Sequence, residues 1–162
     1  MDSMYFLNYS LFLALFQFLH QLYRMKIETA QEIENNLKNT WSPFYLGPNN
    51  ENIFDYGNTD PDTERLTRLT DDKNHYYSYF YTAIFLKEIM HQWQQAGYDI
   101  KYRPEVLATL FNLGFAKSVP KSTPEVGGST ITINDRDYTF GGLAYEFYYS
   151  GELSDVFPFD VN

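Results

Sequence analysis

Cysteine is absent from the 162 residues, which excludes disulfides, thiolate metal sites and a cysteine nucleophile while leaving the compartment open. Basic residues are few: 12 Lys and Arg stand against 21 Asp and Glu, for a formal net charge of -9 and a pI near 4.7. Gripping a phosphate backbone needs a concentration of Lys and Arg, so nucleic acid is not the expected partner. His75 and His91 lie near the two ends of one predicted helix, too far apart to share a metal, and read as surface or capping residues. Asp60, Asp62 and Glu64 alternate like the start of a calcium loop, yet Arg65 stands where that loop needs Gly and Asp71 where it needs Glu. A solvated acidic turn is the expectation there, and neither a metal nor a cofactor is expected anywhere.

Aromatic residues are abundant. They make up 19% of the chain, with 15 Tyr and 14 Phe, which suits a core of large rings and offers the material for an aromatic-lined groove. The length favours one domain with a real core. The segment from Met4 to Tyr23 is strongly apolar, but Asn8, Ser10, Gln17, His20 and Gln21 interrupt it, and no unbroken run reaches the ~20 residues of a bilayer span. Asp2 precedes it instead of Lys or Arg, and no small-x-small cleavage site follows, which argues against a signal peptide. Residues 1–23 read as a buried first helix, with a membrane anchor or a signal-like segment as the alternatives.

Ile27, Ala30, Ile33 and Leu37 form an apolar stripe, so residues 26–37 predict an amphipathic surface helix with its acidic side chains facing away. From Asn39 to Asp62 the turn formers Ser42-Pro43, Gly47-Pro48-Asn49-Asn50 and Tyr56-Gly57-Asn58 predict a long loop. A second, central helix is expected from near Thr70-Asp71-Asp72 to just before Gly97. Its seam is Tyr79, Ala83, Leu86, Met90 and Trp93, with Lys87, Glu88, Gln92 and Gln94 mostly off it.

The best-marked element is Arg103-Pro104-Glu105-Val106-Leu107-Ala108-Thr109-Leu110-Phe111-Asn112-Leu113-Gly114. Pro104 suits the first helical position, Glu105 complements the positive helix start and Gly114 is a left-handed stop. Val106, Leu110 and Leu113, with Leu107 and Phe111, make it apolar on most sides and so largely buried. Asn112 then brings polar groups that a neighbouring loop or a ligand must satisfy. Beyond it, Ser129–Ile133 and Tyr138–Phe140 flank a polar tip, Asn134-Asp135-Arg136-Asp137, and predict a β-hairpin. Leu143–Tyr149 reads as a last helix ended by Gly151, and a tail with Phe157, Pro158 and Phe159 follows. The expected fold is mainly α with a small C-terminal β-hairpin: a helical core over 24–114, then hairpin and last helix over 115–162.

The order of acidic turn, long helix ending in Trp and Gly, and Arg103 to Gly114 resembles the second half of lysozyme-like domains of the lytic transglycosylase and goose-type lysozyme kind. In those domains a helix ends with Ala-x-x-Tyr-Asn-x-Gly. Lys26-Ile27-Glu28-Thr29-Ala30 resembles the segment that follows their catalytic region, and Phe140-Gly141-Gly142-Leu143-Ala144-Tyr145 resembles the tail of uncharacterised members. The likeness spans roughly residues 24 to 114 plus the hairpin. It implies a lysozyme-like fold in the cell envelope or secreted, with the peptidoglycan glycan strand as partner and cleavage of its β-1,4 bonds by a single Glu acting as general acid.

A glycosidic oxygen is a poor leaving group, so that acid must be a protonated carboxyl kept so by apolar surroundings. The chain departs from the pattern here. There is no Glu between Met1 and Arg24, Arg24 stands in place of a Gln, and Phe111 stands where the signature has Tyr. A truncated or re-started version of a longer protein, or a degenerate domain that binds glycan without cutting it, would each account for this. Glu28 is the surviving carboxylate closest in sequence, in a position that faces solvent in the family. Glu146 has the more apolar sequence neighbours. The resemblance implies substrate contacts from Thr109, Phe111, Asn112 and Gly114, with the Asn112 amide facing an acetamido group; a helix end tied to a loop is the competing reading. A membrane-anchored interaction protein, through residues 1–23, is the remaining alternative.

Overall fold

The computed structural model describes residues 25–151; the apolar run from Met4 to Tyr23 and the tail with Phe157, Pro158 and Phe159 lie outside them. The protein is mainly α-helical with one small antiparallel sheet, as the periodicities predict. The described chain gathers into two compact units, residues 25–99 and 100–151.

In the first unit, α1 (Ile27–Lys38) buries the predicted stripe of Ala30, Ile33 and Leu37. Its acidic residues do not all face away: Glu34 is buried as well. The loop that follows is shorter than predicted, because α2 (Pro61–Thr70) begins inside the acidic turn. Asp60 is its N-cap, with Oδ2 accepting from Thr63 N–H at 2.9 Å, and Pro61 occupies the first turn, where a missing N–H costs nothing. The three acidic residues of the turn are thereby engaged: Asp60 caps the helix, Asp62 pairs with Arg65 and Glu64 with Arg68.

The central helix, α3 (Tyr76–Gln95), starts about one turn later than predicted. Asp71 Oδ1 accepts from the N–H groups of Lys73 and Asn74, and Asn74 Oδ1 from Tyr76 N–H, so these side chains hold the turn that the helix would otherwise have used. At its far end Gly97 N–H donates to Gln94 O, and Tyr98 N–H reaches back to Trp93 O at 2.9 Å. With Gly97 at φ 86° this is a glycine-capped helix end. Leu86 and Trp93 of the predicted seam are buried, whereas Tyr79, Ala83 and Met90 are half-buried. The most enclosed side chains are Tyr81, Phe85, Leu86, Glu88, Ile89 and Trp93. Glu88, expected off the seam, is fully buried.

In the second unit, α4 runs Pro104–Leu113, with Pro104 in its first turn and Gly114 at the C-cap with φ 81°, matching the sequence signals at both ends. Every residue from Val106 to Phe111 is buried, while Leu113 is 46% exposed, contrary to the expected stripe. Strands β1 (Thr130–Ile133) and β2 (Arg136–Thr139) pair antiparallel, Ile131 opposite Tyr138 and Ile133 opposite Arg136. The tip is tighter than predicted: Asn134 and Asp135 alone make the turn, both at positive φ, as a two-residue hairpin requires. Helix α5 (Phe140–Tyr149) starts directly at the end of β2, so Phe140, Gly141 and Gly142 form its first turn instead of a linker. Thr139 caps it through Gly142 N–H.

Candidate functional site

The described residues bring polar groups together in three places. Two lie in the first unit and one in the second.

Glu34, on α1, is 6% exposed and its carboxylate is saturated. Its Oε1 accepts from Tyr56 OH and Tyr81 OH, each at 2.5 Å, and from Arg65 Nε at 2.7 Å; its Oε2 accepts from Arg65 Nη2 at 2.7 Å. Arg65, also buried, gives Nη1 to Asp62 at 2.6 Å. Burial pushes the Glu34 carboxyl up, but the guanidinium and the two phenols outweigh it and hold it below the usual carboxylate range. In turn, burial and the Glu34 bond push the Tyr56 phenol up to about 12 and the Tyr81 phenol higher still. Aromatic faces extend the cluster, with Phe54 stacked on Tyr81 at 4.0 Å and Arg68 over the rings of Tyr56 and Tyr77 at 4.6 and 4.3 Å. A carboxylate with this many donors is an anchor between helices and is unsuited to giving up a proton.

Glu88, two turns along α3 from Tyr81, is the opposite case. It is fully buried and neither carboxyl oxygen has a hydrogen-bond partner. Asn36 on α1 comes near enough to favour the charged form, but its Nδ2 makes no hydrogen bond either. Its Oδ1 is occupied by Ser42 Oγ at 2.7 Å. Burial pushes the Glu88 carboxyl up to about 9; Asn36 opposes this and the charge of Glu32 adds to it. Glu88 is therefore a neutral acid at pH 7. Partial burial raises the Glu32 carboxyl too, although the residue as a whole is exposed. Sequence reading missed both buried glutamates; the usable signal for Glu88 was its position among Ile84, Phe85 and Ile89 at helical spacing.

The residues that the resemblance nominated lie on α4 and its C-cap in the second unit, and the structure joins two of the four, Thr109 and Asn112, to one loop, residues 127–129. Thr109 Oγ1 donates to Glu105 O at 2.6 Å and accepts from Gly127 N–H at 3.0 Å. Asn112 Oδ1 accepts from Ser129 N–H at 2.7 Å and Ser129 Oγ at 3.1 Å. Because the Ser129 N–H can only donate, the amide orientation is fixed and Nδ2 is the atom left buried without a partner. Residues 127–129 are then gripped from the other side, with Gly141 N–H on Gly127 O at 2.8 Å and Phe140 N–H on Ser129 O at 2.9 Å.

Two glycines make this approach possible. A Cβ on Gly128 would sit 2.8 Å from Asn112 Oδ1, and one on Gly141 would sit 2.2 Å from Thr109 Oγ1 and 2.6 Å from Glu105 O. Phe111 is buried, and Gly114 closes the helix with open space around it. Of the two acid candidates, Glu28 and Glu146 are both exposed, without the apolar enclosure such an acid needs.

The chain matches no family model, no curated protein and no solved structure. Among the described residues no group of three or more metal-ligating side chains comes together, and no helix is long and apolar enough to cross a membrane.

Proposed function

We propose that this protein recognises the glycan strand of peptidoglycan, as a relative of the lytic transglycosylases and muramidases with a lysozyme-like helical core. The observation that carries the reading is the end of α4. Phe111-Asn112-Leu113-Gly114 closes a buried helix at a positive-φ glycine with open space beside it, and the adjacent Asn112 keeps an amide donor unused. An acetamido carbonyl is the complement of such a donor, which is enclosed here, so a sugar reaches it only when the chain packed around it shifts. The bonds from Asn112 and Thr109 to residues 127–129 support the loop-tie role at the same time, and the two roles use different atoms of Asn112.

Binding is better supported than cleavage. Glu34 is locked as an anion by Arg65, Glu88 holds its proton but is enclosed, and Glu28 and Glu146 are exposed. Glu34 holds no proton and Glu88 offers none to a substrate, which leaves Glu32, an exposed residue of α1 whose carboxyl partial burial raises, as a further carboxyl to substitute in the series below.

Turbidity clearing and sedimentation with purified insoluble peptidoglycan test the reading, with Glu28→Gln, Glu32→Gln, Glu146→Gln and Glu88→Gln run beside the parent chain. Retention without clearing is the expected result. Clearing that one substitution abolishes would identify a general acid and make the protein an enzyme; absence of both clearing and retention would remove the proposal.

A further inference from the structure

Asn112 and Asn36 each leave a buried amide nitrogen without a partner, but they differ in what holds the oxygen. Asn112 Oδ1 faces the Ser129 N–H, which can only donate, so its amide cannot turn over. Asn36 Oδ1 faces Ser42 Oγ at 2.7 Å, and a hydroxyl both donates and accepts, so either orientation of the Asn36 amide suits Ser42. The Asn36 amide is also the hydrogen-bonding group that comes near Glu88 from α1, which packs on α3. Glu88 is fully buried with neither carboxyl oxygen bonded. Ser42 belongs to the turn after α1. Its N–H donates to Asn39 O at 2.9 Å, Trp41 N–H donates to Asn39 Oδ1 at 3.1 Å, and Phe44 N–H donates to Ser42 Oγ at 3.2 Å. Phe44 is buried and roots the turn in the unit, while Trp41 on the same turn is 93% exposed.

We infer that the Asn36 amide is a relay that turns over with the protonation of Glu88 and carries the change to the turn that presents Trp41. When Glu88 is ionised every donor points toward it: Phe44 N–H to Ser42 Oγ, Ser42 O–H to Asn36 Oδ1, and Asn36 Nδ2–H to the carboxylate. A one-way chain of this kind polarises each bond along it and holds the turn firmly. When Glu88 is protonated its O–H needs an acceptor, and Asn36 supplies one by presenting Oδ1. Nδ2 then donates to Ser42 Oγ, where two N–H donors meet, and the Ser42 hydrogen turns to solvent. The 3.2 Å bond from Phe44 now shares its oxygen, so the turn loosens. Each state gives Asn36 and Glu88 a bond that they otherwise lack, and each needs a different amide orientation. A tryptophan on a firm turn is a pre-organised contact for a partner, so the relay sets how Trp41 is offered. Burial favours the protonated state at neutral pH, pushing Glu88 up to about 9. Among the described residues Glu32, one turn before Asn36 on α1, is the charge that acts on Glu88, while Lys87 and His91, its neighbours on α3, do not bear on it. Glu32 is exposed, so a cation beside it works in the same direction as a rise in pH.

The test follows the full isotope-labelled chain by nuclear magnetic resonance from pH 7 to 10, reading the Asn36 side-chain amide, the Phe44 N–H and the Trp41 indole N–H. The three should move together with one midpoint near 9. Glu88→Gln should abolish the common step, and Glu32→Gln should lower its midpoint. Ser42→Ala should keep the step at Asn36 and lose it at Phe44 and Trp41, which separates a relay from a general loosening of the unit. A common step that survives in Glu88→Gln would overturn Glu88 as its source. A step at Asn36 that leaves Phe44 and Trp41 unmoved in the parent chain would overturn the relay, and no step at any of the three by pH 10 would overturn the inference outright.

Discussion

The two units spend their polar groups differently. In residues 25–99 ionisable side chains go inside, where Glu34 is fully paired and Glu88 is left without a partner. In residues 100–151 the helix interior is apolar, hydroxyl and amide groups tie a loop, and the aromatic and charged side chains of α5 and Arg103 face outward. Buried charge sets stability and its pH dependence, so the first unit is the one whose stability answers to pH. Within the first unit Glu34 and Glu88 sharpen the contrast, since the same residue type at similar burial is held ionised in one place and neutral in the other purely by its partners.

The largest expected effect comes from turning Glu34 into a second Glu88. Arg65→Met removes the guanidinium and leaves a buried carboxylate, which should cost about 3–5 kcal/mol in denaturant unfolding and raise the Glu34 pKa. The converse change, Glu88→Gln, removes an acid that must stay protonated. The folded pKa of Glu88, about 9, lies above the ordinary value of 4.5. The folded state therefore holds a proton that the unfolded state releases. The stability tied to that proton is complete below pH 4.5, falls as pH rises and is gone above about 9. Glu34 has the opposite sign, its contribution being lost as pH falls through its lowered pKa. Glu88→Gln should accordingly stabilise the protein at pH 8, on the order of 2–3 kcal/mol, and flatten the decline of melting temperature between pH 5 and 9.

Tyr81→Phe, which removes one hydrogen bond to the Glu34 carboxylate, should cost about 2 kcal/mol. Asn112→Ala in the second unit should cost about 1 kcal/mol through the lost tie to Ser129; unchanged glycan retention in that variant would leave Asn112 a loop tie only. The smallest effect on stability, within about 0.5 kcal/mol, is expected for Tyr145→Ala with Tyr149→Ala. A large loss there would show that the α5 rings belong to the fold and would erase the contrast.

Most of the second unit was legible in the sequence because its signals are local. Pro104 and Gly114 mark α4, and Asn134-Asp135 supplies the two positive-φ residues of the hairpin turn. The first unit was less legible because its organisation depends on distant partners. Glu34 and Arg65 are 31 residues apart, and no helical periodicity connects them, so the stripe of α1 predicts all its acids outward. Helix α2 was missed because Asp60-Pro61 signals a turn as well as a helix start, and Leu69 is its one buried apolar residue. A carboxylate is normally solvated, which predicts Glu88 off the seam, and only the packed structure shows it enclosed. At the candidate site the residues at the end of α4 were legible, but the loop they hold, residues 127–129, was not: its bonds to Thr109 and Asn112 cross 18 and 17 residues.

The most direct measurement is an amide chemical-shift titration of the isotope-labelled chain with soluble glycan strands of peptidoglycan. The account predicts saturable shifts confined to residues 100–151, centred on Asn112 and Gly114, with Glu34, Arg65 and Glu88 unmoved. Shifts centred on residues 25–99, or no shifts at all, would contradict it.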